Sequence, residues 1–372
     1  MLNRRKFLKD MAGATAGICF VSCGLTGAAA TSQSSDVAGR RREVLIAGRR
    51  VLTVDLHAHC SVPDILDLIE DHDESRAMRA QLETPLGRHL DLLDVDYRLK
   101  QMDEQGVDIQ AISISPFQFH YWAERDLARQ MVQIQNEKIA AFCATHPNRL
   151  VGLGTAALQH PDLAVEQMEY AVKKLDLRGF EIGGSVNGEE LSAPKFNVFW
   201  AKAEELGALI FIHPSGFPDG ARRFQGNGYL SNLIGNPLDT TVALSHLMFE
   251  GTLDRYPRLK ICAAHGGGFL ASYIGRSDHC VEKDPRRCRP VKKRPSEYLK
   301  QLYFDAIVYT AEGLRHLVAE VGADQIVLGT DYPFGMGDPE AVNHILSSPW
   351  VTDAQREAML GRTAAKLLRI GS

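Results

Sequence analysis

Eight short apolar runs alternate with longer amphipathic stretches through most of this chain. The runs Leu52–Leu56, Val107–Ile114, Leu150–Ala156, Leu177–Ile182, Leu209–His213, Leu259–Ala264, Leu302–Ile307 and Gln325–Gly329 read as strands. Most are rich in apolar or β-branched residues, as expected of parallel strands covered on both faces. Between them, segments such as 96–105, 127–144, 163–175, 196–206 and 311–321 place apolar residues three and four apart. Several end at Gly or before Pro, as helices do. Eight strand–helix alternations predict an α/β fold of the (β/α)8 TIM-barrel type. A doubly wound open sheet is the rival arrangement, but no Gly-rich dinucleotide turn follows the first strand.

The barrel departs from minimal form at residues 61–95, after strand one, and at the Gly-rich stretch 214–240, after strand five. Such loops lie on the C-terminal face, where barrel enzymes do their chemistry. The chain has 372 residues, 45% hydrophobic and 24% charged, enough apolar material for a large core without staples. Its formal net charge of -4, with no basic cluster interleaved with aromatics, excludes a nucleic-acid binder.

The N-terminus is a different kind of sequence. Residues 1–30 carry the arginine pair Arg4-Arg5, a modest apolar stretch from Met11 to Leu25, and the small residues Ala28-Ala29-Ala30. This pattern predicts a twin-arginine signal peptide, contact with that export machinery, and periplasmic location. Cys23 offers a lipid anchor. Residues 31–48 form a polar segment, leaving 49–372 as the barrel. Outside the leader, the odd set Cys60, Cys143, Cys262, Cys280 and Cys288 lacks a C-x-x-C pair, which argues against a disulfide framework; Cys280 and Cys288 are the two able to pair.

The chemistry-bearing residues fall at strand ends. His57 and His59 stand two apart, so they project to the same side of strand one. His213 closes strand five, His265 closes strand six before Gly266-Gly267-Gly268, and Asp331 follows strand eight. His57, His59, His213 and Asp331 make an N3O set that zinc accepts, with manganese as the alternative ion. From the residues alone, His265 is open as a fifth ligand.

Around these positions the sequence resembles the amidohydrolase superfamily, in the group containing aminocarboxymuconate semialdehyde decarboxylase. Carrying the resemblance are Met102-Asp103-Glu104-Gln105-Gly106-Val107-Asp108, His265-Gly266-Gly267-Gly268 with Gly275-Arg276, and Leu328-Gly329-Thr330-Asp331-Tyr332-Pro333-Phe334. It implies that His57, His59, His213 and Asp331 hold a zinc ion and that His265 is a proton-transfer catalyst, aided by Asp331. It also implies a homodimer, in which Arg276 enters the neighbouring subunit's site to bind a substrate carboxylate. Arg88 is the nearest candidate for a second substrate-binding arginine. Ser215-Gly216 after Pro214 departs from the group's aromatic-plus-acid pair, which leaves the substrate unspecified. Glu181, at the end of strand four, is expected to support the site rather than bind metal.

The expected function is metal-dependent, non-oxidative decarboxylation of a small unsaturated or aromatic carboxylic acid. A hydrolase of an amide, lactone or ester using the same metal is the alternative, and a non-catalytic metal- or ligand-binding protein a third.

Overall fold

The computed structural model describes residues 41–84, 87, 94–288 and 291–371. The expected leader over residues 1–30, its Cys23, and Arg88 lie outside the described residues.

Eight parallel strands form one sheet: β1 (Val54–Cys60), β2 (Ile109–Ile114), β3 (Leu150–Gly154), β4 (Gly179–Ile182), β5 (Leu209–Ile212), β6 (Lys260–Ala263), β7 (Leu302–Asp305) and β8 (Ile326–Val327). Each pairs with its sequence neighbour. The last strand is shorter than its apolar run because the chain leaves β7 beyond Val327 and turns onto β1. There Leu56 N donates to Leu328 O (2.9 Å), Asp331 N to His57 O (2.8 Å) and His59 N to Tyr332 O (2.7 Å). These bonds close the sheet into a barrel, as the eightfold alternation predicts.

The outer ring contains α1 (Val95–Gln105), α2 (Arg125–Thr145), α3 (Pro161–Lys174), α4 (Asn197–Leu206), α5 (Asn236–Phe249), α6 (Leu270–Lys283), α7 (Ala311–Val321) and α8 (Thr363–Leu368). Strand alternation divides the core into two layers. Val54, Leu56, Leu209, Phe211, Cys262 and Val327 fill the barrel, with Leu367 and Leu368 of α8 packed against them. The intervening residues Phe180, Ile182, Ile210, Ile212 and Ile261 join helix residues such as Phe199 and Trp200 in the outer layer.

The two long loops are more ordered than their polar composition indicates. The stretch after β1 contains a 3-10 turn, Pro63–Ile69, which buries Ile65, Leu66 and Ile69, and then a helix, Asp73–Leu82. After β5 come a 3-10 turn, Pro218–Arg223, and then a single π turn, Ser231–Gly235, which runs directly into α5. Helix therefore begins inside the expected 214–240 loop, with Pro237 in its first turn, where a missing N–H costs nothing. Cys280 and Cys288 are joined in a disulfide with Cα atoms 5.9 Å apart. Cys60, Cys143 and Cys262 are buried thiols.

Candidate metal centre

Backbone register aims the side chains. Leu209 and Phe211 point into the barrel, so the next inward position on β5 is His213. Val327 points inward on β8, followed two and four residues later by Gly329 and Asp331. On β1, Val54 and Leu56 face inward, and strict alternation would turn His57 and His59 outward. A register shift against β2 between Asp55 and Ala58 inserts one residue and reverses the phase. The two-residue spacing puts both imidazoles on one side; the bulge makes that side the interior. Gly329 leaves room for them, since a Cβ there would stand 3.0 Å from the Cβ atoms of both His57 and Asp305.

The four side chains meet. His57 Nε2 and His59 Nε2 are 3.0 Å apart, and Asp331 Oδ1 lies 3.2 Å from the first and 3.1 Å from the second. The His213 ring centroid is 5.0 Å from that of His57 and 4.8 Å from that of His59. His213 Nδ1 donates to Pro214 O (2.8 Å), which leaves Nε2 bare, buried and without a partner. Asp331 Oδ1 is likewise buried with no hydrogen bond of acceptable geometry. Ligand atoms of His57, His213, His265 and Asp331 all fall within 4.8 Å of one another, and His59, Glu181 and His213 form an overlapping group.

Lone pairs crowded together in a buried space need a cation. Burial disfavours a charged His57, but the negative charge of Asp331 and the hydrogen bond to Asp305 overcome this and raise its pKa to about 10. Burial lowers His59 to about 4 and holds His213 well below 6.5. Burial also opposes ionisation of Asp331, yet the charge on His57 and the surrounding imidazoles keep it well below 3.8. The cluster thus contains bare imidazole nitrogens, an ionised carboxylate and an unmet demand for positive charge. The residues fit a divalent metal ion.

Four supporting residues surround this centre. Asp305, at the end of β7, accepts from His57 Nδ1 (2.6 Å) and His265 N (2.9 Å) on one oxygen, and from Gly266 N (2.9 Å) and Ile307 N (3.1 Å) on the other. Sequence reasoning missed it, although an acid breaking an apolar strand at an inward position is a usable signal. Asp55 accepts from His57 N and Thr330 N (both 3.0 Å), Thr330 Oγ1 (2.6 Å) and Gln110 Nε2 (2.9 Å), which ties β1 to the segment bearing Asp331. Arg98 of α1 is buried, donates to His59 O (2.7 Å) and Gln110 Oε1 (2.8 Å), and stacks on Tyr332 at 4.6 Å. Glu181 is fully buried with Oε2 3.6 Å from His59 Nδ1, and burial raises its pKa to about 8.

A cavity of about 670 Å³ opens over the cluster, lined by His213, His265 and Asp331 together with Phe117, Tyr229 and Phe334. His265 is 15% exposed there, with Nε2 3.4 Å from Asp331 Oδ2 and Nδ1 unpartnered. His265 and Asp331 both hold left-handed backbone, φ 54° and 56°, strain of the kind concentrated at functional sites. The glycines behind His265 permit close packing: a Cβ on Gly268 (φ 65°) would stand 2.1 Å from Pro237 O. Arg276 is exposed on α6, outside this cavity.

The family model described as Amidohydrolase matches residues 54–370. A 2-amino-3-carboxymuconate-6-semialdehyde decarboxylase from Dictyostelium discoideum is 32% identical over 332 residues, 86% of this chain and 92% of the relative. A gamma-resorcylate decarboxylase from Rhodococcus jostii is 29% identical over 303 residues, 74% of this chain and 88% of the relative. Among solved structures, 2,6-dihydroxybenzoate decarboxylase from Rhizobium superposes with a TM-score of 0.75 at 25% identity, covering 87% of this chain and all of that one.

These relatives correct the expectation of export. They are decarboxylases, and the likeness to them does not bear out a twin-arginine signal. An arginine pair ahead of a short run broken by Gly, Ser and Thr is a pattern that a basic terminus also produces. Twin-arginine export, periplasmic location and an anchor at Cys23 are therefore not assigned. With the family model spanning the barrel from its first strand to its last helix, the chain belongs to the amidohydrolase family.

Proposed function

We propose that this protein is a metal-dependent, non-oxidative decarboxylase of a small aromatic or unsaturated carboxylic acid. The observation that carries this is the buried convergence of three imidazoles and one carboxylate beneath a cavity whose rim holds a further histidine. His57, His59, His213 and Asp331 would hold the ion. When bound, it supplies positive charge that orients the acid and stabilises the electron pair left as carbon dioxide departs. We propose zinc, which suits an N3O donor set, with manganese as the alternative.

His265 moves the proton. Breaking the bond between carbon and carboxylate leaves the electron pair on carbon, which must take up one proton to balance the loss of carbon dioxide. His265 Nε2 faces the cavity 3.4 Å from Asp331 Oδ2, so the two side chains form a short relay. Asp305 fixes the backbone of His265, which keeps the imidazole over the substrate's position. Arg276 would belong to the site of a second copy in a homodimer, pairing there with the substrate carboxylate in a bidentate fork.

Product analysis in deuterium oxide tests the assignment. Incubating the metal-loaded protein with hydroxybenzoic and muconate-type acids should release carbon dioxide and place one deuterium on the vacated carbon. Ester or lactone cleavage without carbon dioxide release would replace the decarboxylase with a hydrolase.

A further inference from the structure

Granted the decarboxylase assignment, on which this inference rests, the cavity wall also limits the substrate. Its polar groups outside the metal cluster are neutral: Gln81, Ser215, Tyr229, Ser231, Asn232 and Asn236. No lysine or arginine lines it among the described residues. Asn232 lies in the π turn and Asn236 opens α5, four residues on, so the two carboxamides share one helical face. Neither side chain makes a hydrogen bond among the described residues, although both line the cavity and are only partly exposed.

We infer that Asn232 and Asn236 are a specificity-determining pair that accepts an acid bearing a neutral hydroxyl and rejects one bearing a second carboxylate. A carboxamide offers both a donor and an acceptor, which is what a hydroxyl requires. A second carboxylate accepts only, brings charge, and loses water on entering the cavity. No lysine or arginine among the described residues of the wall compensates it, and the metal would already be engaged by the carboxylate that leaves. An arginine contributed by a second copy serves the single carboxylate that leaves. The preferred ligand is therefore a monocarboxylic phenolic or enolic acid, its hydroxyl set against the carboxamides and its ring against Phe117 and Phe334.

Calorimetric titration of the manganese-loaded protein tests this with position-matched probes: benzoate, 3-hydroxybenzoate and benzene-1,3-dicarboxylate. Wild type should bind 3-hydroxybenzoate about tenfold more tightly than benzoate, the scale of one or two net hydrogen bonds. It should bind the dicarboxylate more weakly than either. Asn232→Leu and Asn236→Leu should each bring the ratio of 3-hydroxybenzoate to benzoate affinity close to one, with a cooperative thermal melt as the control for folding. Asn232→Arg should raise affinity for the dicarboxylate. Equal or tighter binding of the dicarboxylate by wild type, or an undiminished hydroxyl preference in both leucine variants, overturns the inference. Binding in the predicted order without carbon dioxide release from any acid would overturn the decarboxylase assignment and leave the pair's role standing.

Discussion

Asp305→Asn is the most informative single substitution. It keeps size and shape but removes an acceptor. The carboxylate takes four N–H groups, from His57 Nδ1, His265 N, Gly266 N and Ile307 N, all at 2.6–3.1 Å in a fully buried position. An asparagine has one carbonyl oxygen, so in either orientation two of these donors face an NH2 group. At about 1–3 kcal/mol per unsatisfied buried group, the native state loses roughly 2–6 kcal/mol. If the amide nitrogen turns toward His57, it donates to Nδ1 and moves the imidazole proton to Nε2, the atom that faces His59 and Asp331. Carboxylates in this position typically contribute about 10- to 100-fold in metal affinity, or ~1.4–2.8 kcal/mol. Competition of the metal-free protein against a chromophoric chelator measures that loss, and a thermal melt measures the stability term separately. The expected result is weaker metal binding by at least about tenfold in protein that still melts cooperatively. Affinity within twofold of wild type in a folded variant would refute the claim that Asp305 sets the tautomer of His57.

His265→Ala should retain its metal by elemental analysis while turnover falls about 100-fold or more, the scale of a lost proton-transfer group; loss of the ion would make His265 a ligand instead. Asp331→Ala should lose both metal and activity, and unchanged metal content would remove Asp331 from the donor set. Glu181 predicts a pH effect in the metal-free protein. Its folded pKa, about 8, lies above the ordinary glutamate value of 4.5, so the unfolded chain releases the proton first and stability falls as pH rises between these values. Glu181→Gln should flatten that slope, on the order of 3–5 kcal/mol across the window, and parallel pH–stability curves for variant and wild type would show that the group does not titrate this way.

The barrel and the metal cluster were legible because both follow from spacing. Short apolar runs mark the strands, and residues at their C-terminal ends share one rim, so His57, His59, His213 and Asp331 could be grouped across 275 residues of chain. Other features depend on contacts that carry little local signal. The phase reversal in β1 arises from pairing with β2, and nothing in Val54-Asp55-Leu56-His57 announces it. Asp305 looks like an ordinary acid near a strand end until the closed barrel brings His57 to it. The loop after β5 reads as irregular from its glycines, yet it ends in a turn that presents Asn232 and Asn236 together, because Pro237 starts a helix inside it.

The seam between β1 and β8 has a further consequence. Asp55 and Thr330, 275 positions apart, bond directly beneath the cluster, and Asp331 joins His57 only once that seam is shut. Ion capture is therefore a late event, open only to molecules in which the first and last strands have met. Because a ligand that binds only the native state favours it by mass action, the ion acts as a clasp on the barrel, and metal loading reports that folding has finished.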